Sequence, residues 1–294
     1  MNAIRVLPAT KEYIWGGNKL RNYGITSNDS NIAEAWIFSY NPNGLSTNEE
    51  EKPLNKVLSN KDLGKKYLNF PFFPYLIKFI DANDKLSIQV HPSDEYALKY
   101  ENSFGKTEMW YILEAEKDAF LYLGLNDDYS PEQVKKAIEN NTICDLLNKV
   151  PVKPGDCYFL KSGTIHAIGK GIVIIEIQQN SALTYRVYDF DRVDKFGNHR
   201  ELHVEKALKV INYKKFEPKN VATNPLGTSE YFKVNKIENE TELVASGDAG
   251  VVISFIEGNG TIDNQTFKKG DTFFVKANKK VVITGEYKAI TTTL

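Results

Sequence analysis

The sequence predicts a mainly β protein, a sandwich or barrel of the jelly-roll kind, on three observations. Short runs rich in Ile, Val, Tyr and Phe recur between Gly, Asn and Asp turns, the pattern of antiparallel strands. Helical patterns are inserted among these runs and do not alternate with them. The phrase GDCYFLKSGTIH, from Gly155, returns as GDTFFVKANKKV from Gly270.

Taken in order, the first clear strands are FPYLIKFIDA and KLSIQVH. In the second, Leu86, Ile88 and Val90 fall on one face and Ser87, Gln89 and His91 on the other. The apolar face is ordinary core. The polar face can point into a cavity, with an amide and an imidazole two residues apart. Strands TEMWYILEA and AFLYLGL follow. A helical insertion is expected near 130–150, where Ser130 caps, Pro131 takes the first helical position and Gln133 completes a capping box. Val134, Ala137 and Ile138 give it one apolar stripe. Strands return in DCYFLK, GIVIIEIQQ and LTYRVYDF, and a second helix is expected over RELHVEKALKVI, 200–211.

Residues 214–228 carry two prolines and little periodicity and read as a linker. The chain is therefore expected to divide into a first domain at 1–213 and a smaller, degenerate β domain at 229–294. The repeated phrase reads either as two related β domains or as a common strand–turn unit. Its second copy has Val281 where the first has His166, so the C-terminal part is expected to lack metal ligands.

Composition narrows the function classes. The chain has 294 residues and a formal net charge of −1. No basic block interrupts it, so neither nucleic acid nor an anionic membrane is expected as a partner. The N-terminal stretch has no signal-peptide core, and no run of about 18 apolar residues follows. Cys144 and Cys157 have no metal or redox spacing, and the expected location is the cytoplasm.

Of four histidines, two join a candidate ligand set drawn from separate strands: Gln89, His91, Glu108 and His166. Imidazole, carboxylate and amide oxygen without thiolate suit Zn²⁺, Fe²⁺ or Mn²⁺ and leave a position open for water or substrate. Singly, each has a bland reading, His91 as a capped residue and Glu108 as a solvated strand position. His199 and His203 form a rival pair at helical spacing, but Glu201 is in the wrong place for HEXXH, and a structural or capping role is expected for them.

In order along the chain, YIWGG, AEAW, LIKFIDANDKLSIQVHP, GKTEMWYIL, GTIHAI, EIQQNSALTYRVYDFDR and RELHVEKALKVI resemble the short bacterial form of the type I mannose-6-phosphate isomerases, from about residue 13 to 212. The resemblance implies a cupin jelly-roll and a zinc-dependent aldose–ketose isomerase acting on a small sugar phosphate. It implies one Zn²⁺ per chain, held by His91, Glu108 and His166 with Gln89 as fourth ligand. Arg186 falls on the family's catalytic arginine, and Lys106 and Ser87 match positions associated with the substrate and its phosphate. Lys161 departs from the family, standing where the general cupin turn has Pro.

That chemistry removes a proton at C2, passes through an enediolate and returns a proton at C1, and a metal near both oxygens stabilises the charge. Arg186 can do so without titrating; its other reading is a salt bridge with Asp189 or Asp191. Glu176, in the apolar run GIVIIEIQQ, is the candidate base if burial raises its pKa, in competition with a zinc-bound hydroxide. Trp15 can stack on a sugar face or sit in the core. The rival functions are an Fe(II)-dependent cupin oxygenase, whose triad the same residues satisfy, and a non-enzymatic sugar-binding cupin. A monomer or homodimer is expected.

Overall fold

Antiparallel pairing organises the computed structural model, which describes residues 1–194 and 196–294. Three sheets are stacked. The middle sheet runs Ala9–Lys11, Glu34–Phe38, Tyr75–Ala82, Ile172–Gln179, Glu108–Ala115, Cys157–Leu160. A five-stranded sheet covers one face, in the order Tyr185–Tyr188, Ile88–Val90, His166–Ile168, Phe120–Leu125, Leu147–Pro151. Between them pack Ile80, Trp110, Ile112 and Ile174 from the middle sheet and Leu121, Leu123 and Ile168 from its cover. These two sheets are the expected mainly β jelly-roll.

The other face of the middle sheet is equally dry. Ile77, Phe79, Ile175 and Ile177 pack there against Val234, Val252, Phe274 and Ile290 of the third sheet and Phe232 beside it. This is why Tyr75–Ala82 and Ile172–Gln179 are buried at every position. Strands covered on both faces carry continuous apolar runs, and each fully buried Ile contributes roughly 1.5–3 kcal/mol. The third sheet closes on its own core around Phe255, Phe267, Phe273 and Ile283. Among the described residues no helix is long and apolar enough to cross a membrane.

Several local expectations are corrected. Leu86 does not share the face of Ile88 and Val90: those two lie under the helices, whereas Leu86 joins the core between the sheets and lines the cavity. The strand begins only at Ile88, so its alternation does not reach back to Leu86. The insertion is α-helical over Pro131–Glu139, where the predicted Ser130–Gln133 capping box forms, and makes one further 3-10 turn at Ile143–Leu146. Asn141 between them takes a left-handed conformation (φ +58°), and Leu147–Pro151 becomes a strand against Phe120–Leu125. The helix expected at 200–211 shrinks to Val204–Ala207, because His203 exchanges backbone and ring hydrogen bonds with Arg186 and holds the preceding residues against the sheet edge.

The third sheet also takes a strand from the other end of the chain. Ala3–Val6 pairs antiparallel with Thr272–Val275, so these residues of the expected first domain sit in the C-terminal sheet. The stretch read as a linker is strapped down: Phe216 donates to the Leu125 carbonyl and Val221 to that of Cys157.

The repeated phrase is repeated geometry. Gly155 and Gly270 have φ of +94° and +93°, a region that favours glycine. In each copy the following aspartate accepts the N–H three residues back at 2.9 Å, Asp156 from Lys153 and Asp271 from Lys268. Val281 fills core in the second copy where His166 stands in the first.

Candidate metal centre

His91, Glu108 and His166 each offer one ligand atom within 4.8 Å of the others, and all three are buried. Two sheets bring them together. Glu108 opens a strand of the middle sheet, His166 opens one of the covering sheet directly opposite Gln89, and His91 follows Val90. The turn before His166, with Lys161 in place of a proline, closes around Gly163 (φ +84°), whose N–H donates to the His91 carbonyl at 2.8 Å.

The spacing fits an ion. Donors about 2.0–2.1 Å from one tetrahedral cation stand about 3.4 Å from one another. Here His91 Nε2 is 3.3 Å from Glu108 Oε1, His166 Nε2 is 3.5 Å from Glu108 Oε2, and the Gln89 amide is 3.5 Å from His166 Nε2. Each imidazole is set for the task. His91 Nδ1 donates to the Leu183 carbonyl and His166 Nδ1 to that of Thr164, both at 2.8 Å, so each Nε2 keeps its lone pair. Burial, then the Lys106 charge, pushes His91 down to about 4, and burial also lowers His166. Both rings are neutral at neutral pH, as ligation requires. Burial alone would raise the Glu108 carboxyl, but Lys106 and the imidazoles outweigh it and hold it well below the carboxylate range. Neither Glu108 oxygen accepts an aligned hydrogen bond. The Lys106 ammonium meets Oε1, and a buried carboxylate with so few donors is costly unless cations meet it. The residues fit a divalent ion.

A cavity of about 300 Å³ opens above this centre. Its inner wall is a row of charges on the middle sheet. Lys78, paired across strands with Glu176, lies 3.1 Å from Glu176 Oε1 and 3.5 Å from Glu34. Two indoles fix the carboxylates, Trp110 donating to Glu176 at 2.8 Å and Trp36 to Glu34 at 2.7 Å. Burial would lower Lys78, yet Glu176 and Glu34 raise it above the usual lysine range, so it stays an ammonium. Lys106 Nζ contacts Glu108 and lies 3.4 Å from His91 Nε2 and 3.8 Å from Glu176. It therefore serves the metal end of the cavity.

The outer wall carries guanidinium groups. Arg186 donates to Ser87 Oγ at 3.3 Å and to the Glu201 carbonyl at 2.8 Å. The salt bridge considered for it with Asp189 does not form, because that carboxylate is held by Arg192 and Arg200. Arg200 lines the cavity with Arg186, while Trp15 lines it stacked on Tyr13 at 5.3 Å, so Trp15 is both core and wall. His199 and His203 stay apart from the centre; the former accepts no place on a helix and its ring contacts the Arg192 carbonyl. The sequence reading missed Glu34, Lys78 and Arg200. A lysine inside the apolar run YLIKFIDA was the available signal for the first two.

Comparison with known proteins finds relatives along nearly the whole chain. Residues 3–120 match the family model described as phosphomannose isomerase type I, catalytic domain. That segment holds Gln89, His91 and Glu108, with His166 and Arg186 beyond it. The mannose-6-phosphate isomerase ManA of Bacillus subtilis is 38% identical over 285 residues, covering 90% of each chain. The mannose-6-phosphate isomerase of Streptococcus mutans is 37% identical, covering 88% of this chain and 87% of its own. The crystal structure of the mannose 6-phosphate isomerase from Bacillus subtilis superposes with a TM-score of 0.86 at 32% identity, covering 99% of both chains.

Proposed function

This chain belongs to the type I phosphomannose isomerase family, and from that membership we propose that its cavity interconverts mannose 6-phosphate and fructose 6-phosphate. The observation that carries the reading is the His91–Glu108–His166 set, spaced for one ion behind Gln89 and Lys106 of a cavity that Arg186 and Arg200 also line. We assign one Zn²⁺ to the centre, since two neutral imidazoles, a carboxylate and no thiolate form a catalytic zinc set. The Gln89 amide, turned to present its oxygen, is the fourth ligand; amide orientation follows the partner it meets. Bound there, the ion polarises the sugar carbonyl and stabilises negative charge on the C1 and C2 oxygens.

The chain's own residues do the rest. Glu176 takes the C2 proton: its Oε2 is fixed by Trp110, and its Oε1 faces the cavity between Lys78 and Lys106. A proton goes back to C1 and one passes from O2 to O1, so atoms and charge balance. Lys106, between Glu108 and Glu176, steadies the oxygens during that exchange, and Arg186 adds a charge that does not titrate. Four cations and two carboxylates line the cavity, and the inner lysines are matched by carboxylates. The excess sits outside, where Arg186, positioned by Ser87, and Arg200 receive the phosphate dianion. Trp15 stacks on the sugar. We keep the division at 213 and 229, with residues 3–6 assigned to the C-terminal body, which brings no ligand to the metal.

A coupled assay of mannose 6-phosphate conversion tests the proposal. Activity should vanish with chelator, return with zinc and be absent from His166→Ala. A zinc-loaded protein that leaves mannose 6-phosphate untouched, yet consumes oxygen when loaded with iron, would replace this reading with an oxygenase.

A further inference from the structure

Lys106 and Glu108 come from one short segment, and that segment is held from several directions. Gly105 lies against the Pro92–Asp94 backbone so closely that a Cβ would come within 2.6 Å of it. Three successive N–H groups are then tied to separate partners. Gly105 donates to Asp94 Oδ1 at 2.6 Å, Lys106 to the Pro92 carbonyl at 3.1 Å and Thr107 to Gln179 Oε1 at 2.7 Å. Gln179 Nε2 donates to Asp94 Oδ1 at 3.1 Å, which closes the bracket. On the segment's other side, Ser181 Oγ donates to the Phe104 carbonyl and accepts the Leu183 N–H. The Leu183 carbonyl is the group that orients His91.

Asp94 is thus the junction, and its remaining oxygen is taken from outside the jelly-roll. Tyr231 sits at the tip of the hairpin joining Gly227–Thr228 to Lys233–Glu238, where Ser229 Oγ accepts the N–H groups of Tyr231 and Phe232 at 3.2 Å. Its ring lies 6.0 Å from Phe70, and its hydroxyl donates to Asp94 Oδ2. Burial, then hydrogen bonding to Asp94 and to Glu230, pushes the phenol up, so it is a donor across the physiological range.

We propose that Tyr231 is a positioning residue for the metal centre, holding Asp94 so that the Asp94–Gln179 bracket presents Lys106 and Glu108 in register with His91. The third sheet thereby acquires a part in the reaction although it brings no ligand. The inference rests on the metal reading above and is independent of which sugar is bound.

The test uses the full chain and measures the zinc dissociation constant by competition with a chromogenic chelator, alongside the visible spectrum of the cobalt-loaded protein. Tyr231→Phe keeps the ring against Phe70 and removes one hydrogen bond. It should bind zinc about 3- to 10-fold more weakly and shift the cobalt bands, with its unfolding midpoint in the metal-free state near that of wild type. Asp94→Asn strikes the same junction from the jelly-roll side, so the relay is still read if Tyr231→Phe folds poorly. It should weaken zinc by about 10- to 100-fold, and adding Tyr231→Phe to it should cost little more. Unchanged zinc affinity and spectrum in both variants, or effects that multiply fully in the double variant, would overturn the positioning role alone. A wild-type protein that binds no zinc, or binds it as well after His166→Ala, would overturn the metal reading and this inference with it.

Discussion

Two carbonyls decide the state of the centre. Because Leu183 and Thr164 accept from Nδ1, each histidine is committed to offering Nε2, and replacement of His166 removes a ligand that no neighbour can supply. His166→Ala should lower zinc affinity at least 10- to 100-fold, read by chelator competition. Glu176→Gln should keep zinc, since Glu176 is not in the ligand set, while lowering kcat by about 10²- to 10⁴-fold. If Arg200 receives the phosphate as proposed, Arg200→Ala removes a charged hydrogen-bond pair from it. It should cost about 1.5–3 kcal/mol in kcat/KM for mannose 6-phosphate and leave turnover of unphosphorylated mannose unchanged. The candidate metal group His91, Glu108 and His166 was legible in the sequence because a period-two strand and a turn-borne histidine are local patterns. Glu34, Lys78 and Arg200 were not. A buried lysine is admissible only when carboxylates meet it, and here those come from strands far apart in sequence.

Elements are fastened to the site by charge as well as by ladders. Asp189, near the end of the Tyr185–Tyr188 strand, holds Arg192 and Arg200 and so fixes the irregular stretch that carries the outer wall. Burial would raise its carboxyl, but the two guanidinium groups outweigh it, and its folded pKa is lowered. The unfolded chain therefore binds this proton more readily. The contribution is fully present above the unfolded value of about 3.9 and disappears as pH falls through the folded value. Urea unfolding of wild type and Asp189→Asn should differ by a constant amount above about pH 5 and converge in acid below the unfolded value. A gap that persists unchanged at the acid end would assign the loss to packing. At this scale the sequence was readable where a cap announced itself, as at Ser130, and misleading where a tertiary bond overrode propensity. His203, bonded to Arg186, kept residues 200–203 out of the helix that their spacing predicted.

At the scale of the molecule, the middle sheet belongs to two bodies. Its inner face makes the cavity and its outer face makes the seam with the third sheet. The run GIVIIEIQQ was readable as a strand, but no local pattern says that both of its faces are covered, because the cover arrives from residues some distance along the chain. Residues 1–213 produced alone should fail to give a monodisperse folded species. Ile77, Phe79, Ile175 and Ile177 would then meet water, and size-exclusion chromatography with a hydrophobic dye would detect it. A soluble, cooperatively unfolding fragment would show instead that the seam is dispensable.

The pairing of Ala3–Val6 with Thr272–Val275 also sets a timetable. Ala3–Val6 leaves the ribosome before its partner, which is made about 270 residues later. At about 5–20 residues per second, the wait is on the order of 15 to 50 seconds. During synthesis the nascent chain therefore carries an unmatched ribbon that only late translation can close.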